Sequence, residues 1–163
     1  MFELHLTDKK DIYGQVKALV APHICGSFDI LRTPNGKPYI KGNPVYFSVS
    51  HSGEKAVIAI CDKPVGVDIE LLENVGINKF SRIISRYSEK ERAEISNNPE
   101  LFLKNWTMKE AFIKMRGGTL ASDLKHLEYF GGNIFFHNNL CDCIHEHMSV
   151  SDGIVCSVCI ERN

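Results

Sequence analysis

Trp106-Thr107-Met108-Lys109-Glu110-Ala111-Phe112-Ile113-Lys114 carries a carboxylate and an ammonium one helical turn apart, on a face that a helix built only for packing does not need. Residues four apart stack on one side of an α-helix, so Glu110 and Lys114 point the same way. Met108, Ala111, Phe112 and Met115 recur at i, i+3, i+4 and i+7 and form the burying stripe nearly opposite that pair. Trp106 and Ile113 flank the charges with large apolar surface, so the charged face is expected to be half enclosed, at the wall of a cleft. Asn98 supplies an N-cap, Pro99 a first helical position and Gly117-Gly118 a stop, which bound one long helix.

Some forty residues upstream, Val65-Gly66-Val67-Asp68-Ile69-Glu70 alternates with the period of a half-buried strand. Val65, Val67 and Ile69 turn to the core, and Gly66, Asp68 and Glu70 share the other face. Two carboxylates at i and i+2, beside a glycine that leaves room, converge on one spot. A third from Glu110 would complete a set of hard oxygen donors suited to Mg²⁺, with water and substrate phosphate as the remaining ligands. The plain alternatives are a solvated strand face for Asp68 and Glu70, and an i,i+4 ion pair for Glu110 and Lys114 worth a few tenths of a kcal/mol.

Around these two elements the chain alternates irregularly between strand and helix patterns, which predicts an α+β fold. Strands are expected at Phe2 to Leu6, Val45 to Ser50, Ala56 to Cys61, His126 to Phe130, Ile134 to Phe136 and Ile154 to Glu161. Thr7 is the expected cap of a helix to about Val20, a second helical pattern runs through Ile77, Phe80, Ile83, Ile84 and Tyr87, and Ser88 starts a third helix. Residues 32 to 38 hold Asn-Gly and two prolines and read as a loop.

With 163 residues, 44% hydrophobic and 24% charged, the chain reads as one globular domain, 1–163. A net charge of −1 argues against bulk electrostatic binding to nucleic acid or to an anionic membrane. No apolar run has signal-peptide or membrane-spanning length, which predicts a cytoplasmic protein. Cys141, Cys143, His145, His147, Cys156 and Cys159 crowd the C-terminal part, and a zinc-dependent interaction module is one reading of them. Against it, Cys156 and Cys159 lie three apart in a β-rich stretch and so point to opposite faces, and reduced cysteine packs as a small hydrophobe.

Taken in order, Gly36-Lys37-Pro38, Phe47-Ser48-Val49-Ser50-His51-Ser52-Gly53, Gly66-Val67-Asp68-Ile69-Glu70, and Trp106 to Lys114 followed by Gly117 and Leu120 resemble the motif series of the Sfp-type 4′-phosphopantetheinyl transferase superfamily. The resemblance implies transfer of the 4′-phosphopantetheine group of coenzyme A to a serine of an apo acyl or peptidyl carrier protein, with Mg²⁺ and release of 3′,5′-ADP, as in holo-acyl-carrier-protein synthases. It implies two pseudo-symmetric α/β halves, about 1–64 and 65–163, with the active site between them in a monomer. Asp68, Glu70 and Glu110 become metal ligands, and Lys114 a pyrophosphate contact. Ser50 and His51 become phosphate contacts of coenzyme A, and Gly36, Lys37 and Pro38 shape the nucleotide pocket. Glu110, with Glu91 second, is the candidate base, although Ser88-Glu89-Lys90-Glu91 also reads as a capping box that accounts for Glu91 fully.

The chain is short before Gly36, where Lys9, Lys10 and Arg32 are the available basic residues, and longer than the small trimeric synthases. Lys79, Arg82, Arg86, Lys90 and Arg92 form a candidate basic docking surface for an acidic carrier. A degenerate coenzyme A binder and an unrelated Mg²⁺ phosphotransferase are the other readings.

Overall fold

The computed structural model describes residues 1–42, 45–74 and 77–162, with the side chains of residues 74 and 77–80 outside the description. The chain opens with strand β1 (Phe2–Asp8) and helix α1 (Ile12–Val20), a short hairpin β2 (Ile30–Arg32) and β3 (Pro38–Ile40), and three longer strands, β4 (Tyr46–Ser52), β5 (Lys55–Cys61) and β6 (Val65–Leu71). Helices α2 (Ile77–Ile84), α3 (Glu89–Ile95), α4 (Pro99–Arg116) and the single turn α5 (Leu120–Asp123) follow. The remainder is β7 (Leu127–Phe130), β8 (Asn133–Phe136), β9 (Asn139–Leu140), β10 (Cys143–Met148) and β11 (Ile154–Glu161). This mixture of helices with antiparallel strands is the α+β class expected.

Of the three-stranded antiparallel sheets among the described residues, two position the site, in the orders β1-β5-β4 and β10-β11-β6, and the third is β7-β8-β9. Val65, Val67 and Ile69 of β6 meet Val57 and Ala59 of β5 and Cys156 and Val158 of β11 in one apolar cluster, as the alternation predicts. Val16 and Val20 of α1 cover Phe47, Ile58 and Ile60 on the first sheet. The opposite face of β6 is covered by α4, whose Met108, Ala111, Phe112 and Met115 pack with Cys143 and Cys159. Gly66 is the contact point: a Cβ there would lie 1.9 Å from the Ala111 carbonyl oxygen. Glycine therefore lets strand and helix touch backbone to backbone.

Helix α4 begins and ends as read. Asn98 Oδ1 accepts from the amides of Glu100 and Leu101 at 2.9 and 3.2 Å, and Gly117 closes the helix in the left-handed region at φ 72°. Its burial is wider than one stripe, however, because Asn105, Thr107 and Lys109 are buried as well. One other expectation changes, and two elements are added to the reading. Thr7 stays in β1, paired with Ala56, and the cap of α1 is Asp11, whose side chain accepts from the Gly14 amide. The 32–38 loop is the tip of the β2–β3 hairpin, closed by the Gly36 amide on the Thr33 carbonyl at 2.8 Å. Residues Cys143–Met148 form a sheet-edge strand paired with β11, which the sequence pattern does not announce.

Candidate active site

Strands β4 and β6 belong to different sheets and lie side by side. Serines at alternate positions of β4 place their hydroxyls on one side of the strand, facing β6. Ser48 Oγ accepts from the Val67 amide at 3.0 Å, Ser50 Oγ donates to Asp68 Oδ1 at 2.6 Å, and Ser52 Oγ donates to Glu70 Oε2 at 2.8 Å while accepting from the Leu71 amide at 3.2 Å. One row of hydroxyls thus joins the sheets and orients both acids of β6. The serine period of two in β4 is the sequence signal for Ser48 and Ser52, which motif spacing around Asp68 and Glu70 does not single out.

Lys114 reaches into this row from α4. Its Nζ lies 2.6 Å from Asp68 Oδ1, 3.0 Å from Ser50 Oγ, 3.2 Å from the Val67 carbonyl oxygen and 3.9 Å from Glu110 Oε2. The i,i+4 pairing and the site reading of Lys114 are therefore both present. Asp68 is 4% exposed, and burial pushes its carboxyl above the ordinary carboxylate range, with the Lys114 ammonium and the Ser50 hydroxyl pulling against it.

Asp68, Glu70, Glu110, Lys114, Ser50 and His51 all line one cavity of about 490 Å³, whose far wall includes Lys9 and Tyr13. A second cavity of about 210 Å³ shares Lys114 with it and is lined by Gly36, Lys37 and Pro38. The Lys37 ammonium is not offered to solvent: Nζ donates to the Met115 carbonyl at 2.9 Å and the Val65 carbonyl at 3.4 Å, tying the end of α4 to β6. Burial lowers its pKa to about 8. Three carboxylates on one cavity wall are the hard-oxygen donors that suit Mg²⁺. Among the described residues, no three His, Cys, Asp or Glu side chains are arranged to hold a metal ion as they stand. At Asp68 the compensating charge is the Lys114 ammonium.

The structure does not bring Glu91 to this cavity. It is 1% exposed, its Oε1 lies 2.5 Å from Lys109 Nζ and accepts from the Tyr129 amide, and its Oε2 accepts from the Ser88 amide in a complete capping box. Lys109, 2% exposed and 3.8 Å from the centre of the Tyr87 ring, is the partner that the sequence did not disclose. Arg82, Arg86, Lys90 and Arg92 are exposed, and the Lys79 side chain lies outside the described residues. The C-terminal cysteines are free thiols, and Cys156 and Cys159 sit in different core clusters on opposite faces of β11, as their spacing requires. Among the described residues, no helix is long and apolar enough to cross a membrane.

Residues 64–159 match the family model described as the 4′-phosphopantetheinyl transferase superfamily. The chain is 38% identical over 92 residues to a 4′-phosphopantetheinyl transferase of Bacillus subtilis, an overlap of 55% of this chain and 41% of that one. It is 37% identical over 115 residues to the L-aminoadipate-semialdehyde dehydrogenase-phosphopantetheinyl transferase of Xenopus laevis, covering 60% and 38%. With the 4′-phosphopantetheinyl transferase AcpT of Salmonella typhi it shares 37% over 91 residues, covering 52% and 47%. The chain thus spans two fifths to a half of the length of these curated relatives. The matched segment holds β6 with Asp68 and Glu70 and α4 with Glu110 and Lys114, and the chain belongs to the 4′-phosphopantetheinyl transferase superfamily.

Proposed function

We propose that this chain transfers the 4′-phosphopantetheine group of coenzyme A to a serine of an apo acyl or peptidyl carrier protein and releases 3′,5′-ADP. The reading is carried by one observation: Asp68, Glu70, Glu110 and Lys114, drawn from β6 and α4, line a single cavity with Ser50 and His51. The abutting sheets support a division into halves of about 1–64 and 65–163, with the site between them.

In this reading Asp68, Glu70 and Glu110 would hold Mg²⁺, which when bound neutralises the pyrophosphate of coenzyme A. Ser50 and His51 bind phosphate, and Gly36, Lys37 and Pro38 border the nucleotide. Glu110 takes the proton of the carrier serine as its oxygen bonds to the β-phosphorus, and the bond to the 3′,5′-ADP oxygen breaks. Lys114 stabilises the charge gathering on that leaving oxygen. The buried pairing of Glu91 with Lys109 supports a structural role for it, which leaves Glu110 as the base. In this reading the protein acts on coenzyme A and its carrier in the cytoplasm.

The test is to incubate the protein with Mg²⁺, coenzyme A and a panel of apo acyl and apo peptidyl carrier proteins, and to weigh the carriers. One carrier should gain the phosphopantetheine mass at a serine, with 3′,5′-ADP in equal amount, and Asp68→Asn should abolish the gain. Coenzyme A binding without modification of any carrier would reduce the protein to a binder. Lys114→Ala should lower turnover at saturation more than coenzyme A affinity; the reverse would make it a ground-state contact only.

A further inference from the structure

A group of thiols and a histidine around β10 takes no part in that chemistry. The register sets Cys143 opposite Glu161 and His145 opposite Cys159, so Cys143, His145 and Cys159 share one face of the β10–β11 pair. Cys159 Sγ lies 3.9 Å from the Met108 carbonyl oxygen and 3.5 Å from the Met108 sulfur. Met108 is on the side of α4 away from Glu110 and Lys114.

The contacts of His145 bear on its protonation. Its Nε2 lies 2.9 Å from the Gly132 carbonyl oxygen, and its Nδ1 lies 3.2 Å from the Cys143 carbonyl oxygen and 3.7 Å from the Cys143 sulfur. Carbonyl oxygens at both ring nitrogens favour a hydrogen on each, an imidazolium, over the neutral ring in which Nδ1 accepts from the Cys143 thiol and turns its lone pair toward the carbonyl at 3.2 Å. The adjacent Cys143 sulfur can supply the counter-charge.

We propose that Cys143 and His145 form a thiolate–imidazolium pair and that Cys143 is a modification site, oxidised to its sulfenic acid by hydrogen peroxide. The thiolate sulfur attacks one peroxide oxygen and the O–O bond breaks. Sulfur is oxidised by two electrons, and the departing hydroxide takes a proton from His145 and leaves as water. The products are Cys143 sulfenic acid, water and a neutral imidazole. Cys143 is 7% exposed, an opening that suits a small uncharged oxidant.

The surrounding groups favour the pair. The nearby Cys159 thiol, and then His145, hold the Cys143 thiol down to about 5 against burial and the Asp142 charge, and the same sulfur lifts His145 to about 9. Arg116, from α4, acts on the neighbouring Cys141. Burial pushes the other C-terminal thiols up instead, Cys156 to about 12 and Cys141 and Cys159 in the same direction. Cys143 and Cys159 are diagonal rather than opposite. Diagonal Cβ atoms sit at up to about 7 Å against the roughly 4 Å of a disulfide, so a bridge between them would need the strands to shift.

The experiment treats the native full chain with hydrogen peroxide at pH 6, 7 and 8, quenches with catalase, denatures, alkylates the remaining thiols and counts them residue by residue by mass. Cys143 should be consumed before the exposed Cys25, at nearly the same rate at pH 6 and pH 8. Glutathione in the same buffer, an ordinary thiol, should gain about tenfold per pH unit because only its thiolate reacts. His145→Gln, checked for folding by circular dichroism, should slow the pH 6 reaction at least about tenfold and restore that slope. Cys143 retained while Cys25 is consumed, a wild-type rate that climbs with pH as glutathione does, or an unchanged profile in His145→Gln would each overturn the proposal. Should that variant fail to fold, the wild-type pH profile decides alone.

Discussion

Gly66→Ala adds one methyl group at the point where β6 and α4 meet through their backbones. The new Cβ would stand 1.9 Å from the Ala111 carbonyl oxygen and 2.4 Å from the Met115 amide nitrogen, both helix backbone that cannot swing aside. Real Cβ contacts essentially never fall below 3.0 Å, so α4 must withdraw by at least about 1.1 Å, the shortfall at Ala111. Overpacking of this kind costs about 1–3 kcal/mol. If α4 moves as a rigid body, the 2.6 Å contact from Lys114 Nζ to Asp68 Oδ1 opens to about 3.7 Å, beyond hydrogen-bond reach, and Glu110 travels with it. A displacement of about 1 Å at reacting groups is worth on the order of a hundredfold in rate. Trp106, the only tryptophan of the chain and 7% exposed on α4, makes urea unfolding readable by fluorescence. The variant should lose about 1–3 kcal/mol of stability, and its transfer rate, measured well below the unfolding midpoint, should fall about a hundredfold. Stability within about 0.5 kcal/mol of wild type, or a rate that falls only in step with the unfolded fraction, would refute the argument that this contact sets the geometry.

Two further outcomes follow from buried lysines. Lys109→Met strands the Glu91 carboxylate in the core and should cost about 3–5 kcal/mol in urea unfolding, with part recovered in the Glu91→Gln/Lys109→Met double variant; a cost under about 1 kcal/mol would contradict a buried pair. Lys37, with a pKa lowered to about 8 by burial, holds its proton less tightly in the folded chain than the 10.5 of an ordinary lysine. Between those two values the unfolded state binds more protons, so wild-type stability should rise with pH relative to Lys37→Met. Melting temperatures of both proteins from pH 7 to 10 test this, and a gap that stays flat or moves the other way would sink it.

What the chain discloses in advance is what local rules control. The long helix from Pro99 to Arg116 is delimited by Asn98, Pro99 and Gly117, and the alternation of Val65, Val67 and Ile69 gives the core face of β6 directly. The pair Glu110 and Lys114 on one face is a consequence of helical spacing alone. The rest depends on partners distant in sequence. Nothing near Lys109 indicates a buried lysine; the reason is Glu91, on another helix, which the same contact holds in a buried ion pair. Thr7 has the chemistry of a helix cap but is claimed by pairing with β5, so the helix starts at Asp11. Cys143-Ile144-His145-Glu146-His147-Met148 is too polar to read as a strand, and β11 makes it one. The alignment of Ser50 with Asp68 and Ser52 with Glu70 exists only once two sheets have met.

That serine row divides the site between two kinds of inheritance. The acids lie inside the segment that the family model matches, residues 64–159, whereas the hydroxyls that aim them come from residues 48 to 52, an earlier motif outside that segment. Substitution in β4 can therefore detune the site while leaving the matched segment intact. Sorting related chains into competent and lapsed by the Asp-x-Glu pattern alone would count as competent those whose serines have drifted away. The informative unit for such a census is the pair of strands read together, one for the ligands and one for their aim.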